Sequence, residues 1–260
     1  MVILDAETGQ QTRELHAAHQ IVEVSYASGD DRVYVSEPDR IVAVPLDGSP
    51  PVTVVEDGTN CLVSPDGRRL AFEPARMDPA YDDGLQVRVR TLATGEEVSW
   101  NQEPSPVGGF YVAGWLDAAR LALGEVGADP PGNISGSIDV TRDAPRLKRW
   151  ELAWNDPEGF DWWEAAAPHT PGTFGVVAKQ GTGGESPSSI RLVAAKARNE
   201  ADMLVGVSTD VWHLDFDRSG EHLVFIRDAR NRRRPHLLYR WHGDSKILVA
   251  RDIEVAYWLD

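Results

Sequence analysis

The chain has 260 residues, with 26 Lys and Arg against 41 Asp and Glu, for a formal net charge of −15. That charge argues against a general affinity for nucleic acid or anionic membranes, since both are themselves negative. The length suits one large all-β domain or two small ones and a hydrophobic fraction of 42% suffices for a core, no run approaches the roughly 20 apolar residues of a membrane helix, and the lone cysteine, Cys61, excludes an internal disulfide framework and fits a reducing compartment.

Taken in chain order, Met1 to Leu15 reads as the second half of a repeat, because Asp5-Ala6-Glu7-Thr8-Gly9-Gln10 lies without a gap on Thr91-Leu92-Ala93-Thr94-Gly95-Glu96. The stretch Met1–Glu7 has neither a basic segment nor a long apolar core, so no signal peptide and a cytoplasmic location are expected. Five repeats of four short strands follow, supported by alternation and β-branched content. The first is predicted over Ile21–Tyr26, Arg32–Ser36, Ile41–Leu46 and Val52–Val55. The second covers Cys61–Val63, Leu70–Glu73, Leu85–Leu92 and Glu97–Trp100. The third covers Phe110–Trp115, Leu121–Glu125, Ser137–Thr141 and Leu147–Leu152. The fourth covers Asp161–Ala166, Phe174–Lys179, Ile190–Ala195 and Asp202–Val207. In that repeat Ala165-Ala166-Ala167 and Ala194 to Ala201 are also compatible with helix by propensity. The fifth covers Val211–Phe216, His222–Arg227, His236–Trp241 and Lys246–Ala250. The C-terminus, Ile253 to Trp258, reads as one more first strand.

The clearest repeat unit is Cys61-Leu62-Val63-Ser64-Pro65-Asp66-Gly67-Arg68-Arg69-Leu70-Ala71-Phe72, a strand, a tight turn and a strand. Pro presets φ at the second turn position and Gly takes the open conformation other residues avoid. The unit recurs at Val112 to Leu123, 51 residues on from Ser64 to Trp115, and at Leu214 to Phe225, a further 102 residues from Trp115 to Asp217. Laid on the first copy without gaps, Asp117 falls on Asp66 and Gly220 on Gly67. A fixed period filled with short strands points to a propeller or another repeat array. The Ser-Pro-Asp-Gly-x-x-Leu-Ala-Phe pattern, followed by the Ala93-Thr94-Gly95-Glu96 turn, resembles the TolB-like, WD-repeat-like β-propeller family. The expectation is an all-β chain forming a single six-bladed β-propeller over residues 1–260. Its blades are four-stranded and antiparallel, and residues 1–15 and 253–260 share the closing blade, as propellers close to leave no edge strand free; these two ends supply three of its four strands, so that blade is three-stranded or the sequence is a fragment or starts at a late methionine. The family resemblance implies protein binding, but names no reaction, because the fold carries many activities. An N-terminal domain of the TolB kind is not visible in this sequence. The composition, rich in Arg over Lys and in Ala, Gly, Asp and Val, resembles that of GC-rich bacteria.

The connection between second and third strands is short in the first repeat and long in the next four: Pro74–Gly84, Val126–Gly136, Gln180–Ser189 and Asp228–Pro235. Insertions on one face of a repeat array mark a binding face. The first long loop carries Asp78, Asp82 and Asp83. The last carries Arg230, Arg232, Arg233 and Arg234, with Arg227 just before it. Arginine binds carboxylate and phosphate with bidentate geometry, which makes this loop a candidate dock for a protein with an acidic surface. Positions equivalent to Glu254 on the first strands are His213, Tyr111, Asn60 and Glu23. If all face a propeller's central channel, Glu23, His213 and Glu254 are candidate metal ligands, against the plainer expectation of a polar, hydrated lining. The Gly181-Thr182-Gly183-Gly184 stretch lacks the Gly-Lys-Ser/Thr ending of a phosphate loop and reads as a flexible connection. Cys61 reads as a small buried apolar residue, and Trp115 and Trp258, at matching positions, as packing between blades. No nucleophile elbow, zinc-protease motif or Cys–His arrangement occurs. No cofactor is expected. The leading expectation is a non-enzymatic interaction module; the alternatives are a propeller hydrolase or lyase with channel residues, and a sugar- or small-molecule-binding propeller using Trp150, Trp154, Trp162 and Trp163.

Overall fold

The structure, a computed structural model, describes residues 1–5, 7–15, 20–27, 30–75, 85–102, 110–125, 133–142, 146–149, 162–170, 173–179, 188–194, 197–207, 211–217, 219–227, 236–243, 245–251 and 256–257. All of its regular structure is strand. The chain divides into two compact units, the first holding strands up to Glu97–Gln102 and the second those from Phe110–Asp117 onward.

The first unit opens with a hairpin of β1 (Val2–Leu4) and β2 (Gln11–Glu14). Two four-stranded antiparallel meanders follow. One is β3 (Glu23–Ser25), β4 (Arg32–Ser36), β5 (Ile41–Pro45) and β6 (Val52–Val55); the other is β7 (Thr59–Val63), β8 (Arg69–Glu73), β9 (Leu85–Thr91) and β10 (Glu97–Gln102). The match of the N-terminus to the second half of a repeat holds at the level of single hydrogen bonds. The Gly9 amide donates to the Asp5 carbonyl at 2.8 Å and the Gly95 amide to the Thr91 carbonyl at 2.8 Å. Both glycines have positive φ, 68° and 74°. The hairpin β1–β2 is therefore built like β9–β10, a third and fourth strand without their first two. The Arg13 guanidinium ties it to the first meander by donating to the Leu46 carbonyl.

Val33, Tyr34 and Val35 of β4 and Ile41 to Val44 of β5 are buried without alternation. A strand covered on both faces needs apolar side chains on both, so its run is continuous. One core, holding Tyr34, Ile41, Ala43, Val55, Cys61, Val63, Leu70 and Phe72, joins the two meanders. First strands β3 and β7 lie side by side. Two amides of β7 are met by buried serines of the neighbouring meander. Cys61 donates to Ser36 Oγ at 2.9 Å and Val63 to Ser25 Oγ at 2.8 Å. A buried amide left unmet costs about 1–3 kcal/mol, so these two hydroxyls fix how the meanders meet.

The second unit holds three meanders. They are β11 (Phe110–Asp117), β12 (Arg120–Glu125), β13 (Asn133–Asp139) and β14 (Lys148–Arg149); β15 (Trp162–Pro168), β16 (Thr173–Lys179), β17 (Ser188–Ala194) and β18 (Ala197–Val207); and β19 (Val211–Phe216), β20 (His222–Arg227), β21 (Leu237–His242) and β22 (Ser245–Arg251). β15 lies beside both β11 and β19. The described residues of the alanine-rich stretches compatible with helix are strand: Ala165 pairs with Val177, Ala166 with Val176 and Ala201 with Val193. Here pairing to apolar β16 and β17 overrides helix propensity. A final first strand over 253–258 lies outside the described residues, apart from Ala256 and Tyr257.

The Ser-Pro-Asp-Gly turn closes on its own side chains. Ser64 Oγ accepts from the Arg69 amide at 2.9 Å and donates to Asp66 Oδ1 at 2.6 Å. The fifth repeat reaches the same shape with the roles exchanged. Asp217 Oδ1 accepts from the His222 amide at 3.1 Å and from Ser219 Oγ at 3.0 Å, and Gly220 takes φ 76° where Gly67 takes 67°. The third repeat departs from the gapless alignment. Asp117 pairs directly with Arg120 around a two-residue turn, so it stands at the turn's first position, where Ser64 stands, and not at that of Asp66. Its carboxylate accepts from the Ala119 amide at 2.9 Å and Arg120 Nε at 2.7 Å.

Candidate functional site

In the first unit the polar side chains of interest gather where β3, β7 and β8 begin or end. Asn60 has φ 51°, a left-handed conformation that asparagine tolerates. It sits in an irregular step of β7 between Thr59 and Leu62. The step turns its side chain across the hairpin, and Nδ2 donates to Glu73 Oε2 at 2.8 Å. Sequence alignment placed Asn60 with Glu23 but missed Glu73; the signal was the β-breaking Asn opening a strand opposite a glutamate that closes one. Desolvation raises the Glu73 carboxyl above its ordinary value, against the lowering hydrogen bond from Asn60. Desolvation likewise raises Glu23, whose Oε1 accepts from the Val24 amide at 3.1 Å. The neighbouring Cys61 thiol is fully buried and pushed up to about 12 by desolvation, with the Glu23 charge adding to the rise. A buried thiol that holds its proton is a poor nucleophile at neutral pH. Both carboxyls sit in a poorly solvated setting that favours the protonated form more than water does, the direction in which a general acid is tuned.

In the second unit His213, on β19, binds the C-terminal segment. Its Nε2 donates to the Ala256 carbonyl at 2.6 Å, and its ring meets Tyr257 edge-on with centroids 5.0 Å apart. Desolvation lowers the imidazole to about 4, against the raising effect of that hydrogen bond. The neutral ring with its proton on Nε2 carries its lone pair on Nδ1. Of the other sequence candidates, Glu254 lies outside the described residues, and Tyr111 is on β11 without a described side chain. Among the described residues no group of three or more His, Cys, Asp or Glu side chains could hold a metal ion. His213 is a clasp on the chain terminus, and Glu23 and His213 belong to different units.

Of the loop candidates, Arg227 ends β20, and Arg230, Arg232, Arg233, Arg234, Asp78, Asp82 and Asp83 lie outside the described residues. The strands that launch the loops are described. The second-to-third connection occupies residues 37–40 in the first repeat, and 74–84, 126–132, 180–187 and 228–236 in the others. Register places Arg227 opposite Leu237, and Leu237 opposite Arg251, so the loop-bearing end of the fifth meander has an arginine on its second and its fourth strand. Sequence reading stopped at the loop and missed that its charge continues into β21 and β22 through Arg240, Lys246 and Arg251. Residues 211–251 hold nine Lys or Arg and five Asp or Glu, a net +4, leaving −19 on the rest of a chain of net −15.

The sequence matches no protein-family model. No curated protein is similar to it in sequence. Solved structures are similar in fold. The TolB structure from Agrobacterium tumefaciens superposes with a TM-score of 0.62 at 15% identity, over 94% of this chain and 83% of that one. Pyrococcus horikoshii acylaminoacyl peptidase gives 0.55 at 11% identity over 88% of this chain and 38% of that one. Oligogalacturonate lyase from Vibrio parahaemolyticus gives 0.54 at 12% identity over 87% and 64%. This chain thus spans most of the first protein but under two thirds of each enzyme. At such identities the likeness concerns fold alone. Among the described residues, five antiparallel four-stranded meanders and a hairpin built like the outer half of one, together with superposition over nearly the whole chain, show a β-propeller fold similar to that of the TolB structure.

Proposed function

We propose that the protein is a non-enzymatic interaction module that binds another protein through its long second-to-third connections, with the Arg227–Arg234 loop meeting an acidic surface and Asp78, Asp82 and Asp83 offering the opposite charge. The observation that supports this is the grouping of the insertions. Four of five meanders carry them at the same step, while the turns between first and second strands span six residues or fewer, and those of the second, third and fifth meanders are held by their own side chains. In an up-and-down blade the second-to-third connections and the blade-to-blade links leave from the same end, so these insertions enlarge one face of a propeller. The closing sixth blade belongs to this reading: β1–β2 supplies its outer half, and the C-terminal segment held by His213 supplies its first strand. A location in the cytoplasm of a bacterium goes with it.

Replacing Arg232, Arg233 and Arg234 together by Ala tests the reading. Capture of a partner on immobilised protein should weaken by about tenfold or more, equivalent to about 1.4 kcal/mol, with an unchanged melting temperature. Unchanged capture removes the loop. The desolvated carboxyls of Glu23 and Glu73 favour a second reading, a hydrolase or lyase using them as acids. Turnover of a peptide or uronate substrate that Glu73→Gln abolishes would replace the first reading with this one.

A further inference from the structure

The outer strand of the fifth meander is the place where the fold offers a backbone edge together with charge. Among the described strands β22 is paired on one side alone, to β21, from Leu237 opposite Arg251 to His242 opposite Ser245. Its residues Ser245 to Leu248 are exposed, Ile247 at 45% and Leu248 at 38%. An exposed apolar edge strand is a template for another strand unless charge or a bulge blocks it, and the one register shift of β22, between Leu248 and Ala250, lies outside its exposed stretch Ser245 to Leu248. The charges on β22 are of one sign. Lys246 and Arg251 stand near its two ends, Arg240 lies opposite Ile247 on β21, and Lys246 Nζ sits 5.8 Å from the Tyr239 ring centre. They belong to the segment of net +4 in a chain of net −15. Like charge disfavours a second copy of β22 on this edge, because Lys246 and Arg251 would approach their own counterparts. It favours an extended segment carrying Asp or Glu between apolar residues.

We propose that β22 is a strand-addition site for an extended acidic segment of a partner protein, whose backbone pairs with the free edge and whose carboxylates meet Lys246 and Arg251, which register places on one face of the sheet. The proposal rests on the interaction-module reading and names the partner's chemistry. One end of the added strand reaches Arg251, at the blade end where the arginine loop begins.

The test uses the whole chain and a fluorescein-labelled peptide of about nine residues in which Val and Glu alternate, followed by fluorescence anisotropy at about 50 mM salt. In an extended strand, alternate residues direct their amides to opposite edges. Two further peptides are N-methylated, one at every Val and one at every Glu. Strand addition predicts that one loses about tenfold or more in affinity, while the other binds within about twofold of the parent. Ile247→Asp and Leu248→Asp, both at exposed positions, should each weaken the parent peptide by about tenfold without moving the melting temperature. Equal binding by both methylated peptides, or no binding of the parent, overturns strand addition. The loop variant separates the two readings. Loss of binding on replacing Arg232, Arg233 and Arg234, with indifference to methylation, keeps the loop dock and sinks strand addition. Sensitivity to methylation with an indifferent loop variant does the reverse.

Discussion

His213 shows how one residue can set a pH dependence. Its folded-state pKa, about 4, lies below the ordinary 6.5, so the unfolded chain binds a proton that the folded one refuses. The stability this contributes is complete above pH 6.5 and is lost as pH falls toward 4. At pH 5 the loss amounts to about 2 kcal/mol. Glu23 and Glu73 act in the opposite sense: their folded values are raised, so their contribution is present in acid and lost as pH rises through those values. His213→Gln keeps a donor for the Ala256 carbonyl and removes the titration. Urea midpoints measured at pH 7 and pH 5 should fall for the wild type and change less for the variant; parallel falls would show that His213 is not the sensor. The position of His213 as a polar residue on a first strand was legible in the sequence. Its bond to a backbone carbonyl was not, because carbonyls leave no trace in residue type.

At the scale of elements, the repeat fixed its strands through turn chemistry more than through strand composition. Strand bounds such as Arg32–Ser36, Val52–Val55, Val211–Phe216 and His222–Arg227 could be read because a Gly or an Asp turn flanks them. The third repeat's turn could not be aligned correctly, since two alanines can substitute for a longer glycine turn once Asp117 caps it. The fifth repeat's turn also works between meanders. His169 Nε2 donates to the Gly220 carbonyl at 3.0 Å, its Nδ1 meets Thr173 Oγ1 at 3.1 Å, and its ring edges against Phe216 at 4.8 Å. A side chain added at Gly220 would lie 2.9 Å from His169 Nε2, in a backbone of φ 76°. Gly48 has φ 87° and nothing within 4 Å of such an atom. Gly48→Ala should therefore cost only the conformational strain, about 1 kcal/mol, whereas Gly220→Ala should cost about 1–3 kcal/mol more. Denaturant midpoints for the two variants make the comparison; equal losses would mean that His169 yields freely and does not clamp the turn.

For the whole molecule the deciding quantity is charge. A formal −15 over 260 residues repels itself when folded, and the described ion pairs that oppose this repulsion are mostly on the surface: Arg32 with Asp30 and Asp31, Arg90 with Glu97, Arg120 with Asp117 and Arg142 with Asp139. Exposed pairs of this kind contribute about 0–1 kcal/mol each and are themselves weakened by salt. The net excess of acid was plain in the sequence. That residues 211–251 oppose it became meaningful once register showed Arg227 and Arg251 at one end of a single meander, with exposed β22 beside them. The two charge populations predict opposite responses to salt. Raising NaCl from about 10 mM to about 150 mM shortens the screening length from about 30 Å to about 8 Å. Long-range repulsion across the acidic body is screened at those distances, whereas a pair in contact keeps part of its attraction. The melting temperature should therefore rise with salt over this range, while affinity for an acidic partner at the basic meander falls. A melting temperature that falls with salt would show that the surface ion pairs outweigh the self-repulsion. Binding insensitive to salt would remove charge from the description of the partner and leave the apolar edge of β22 to select it.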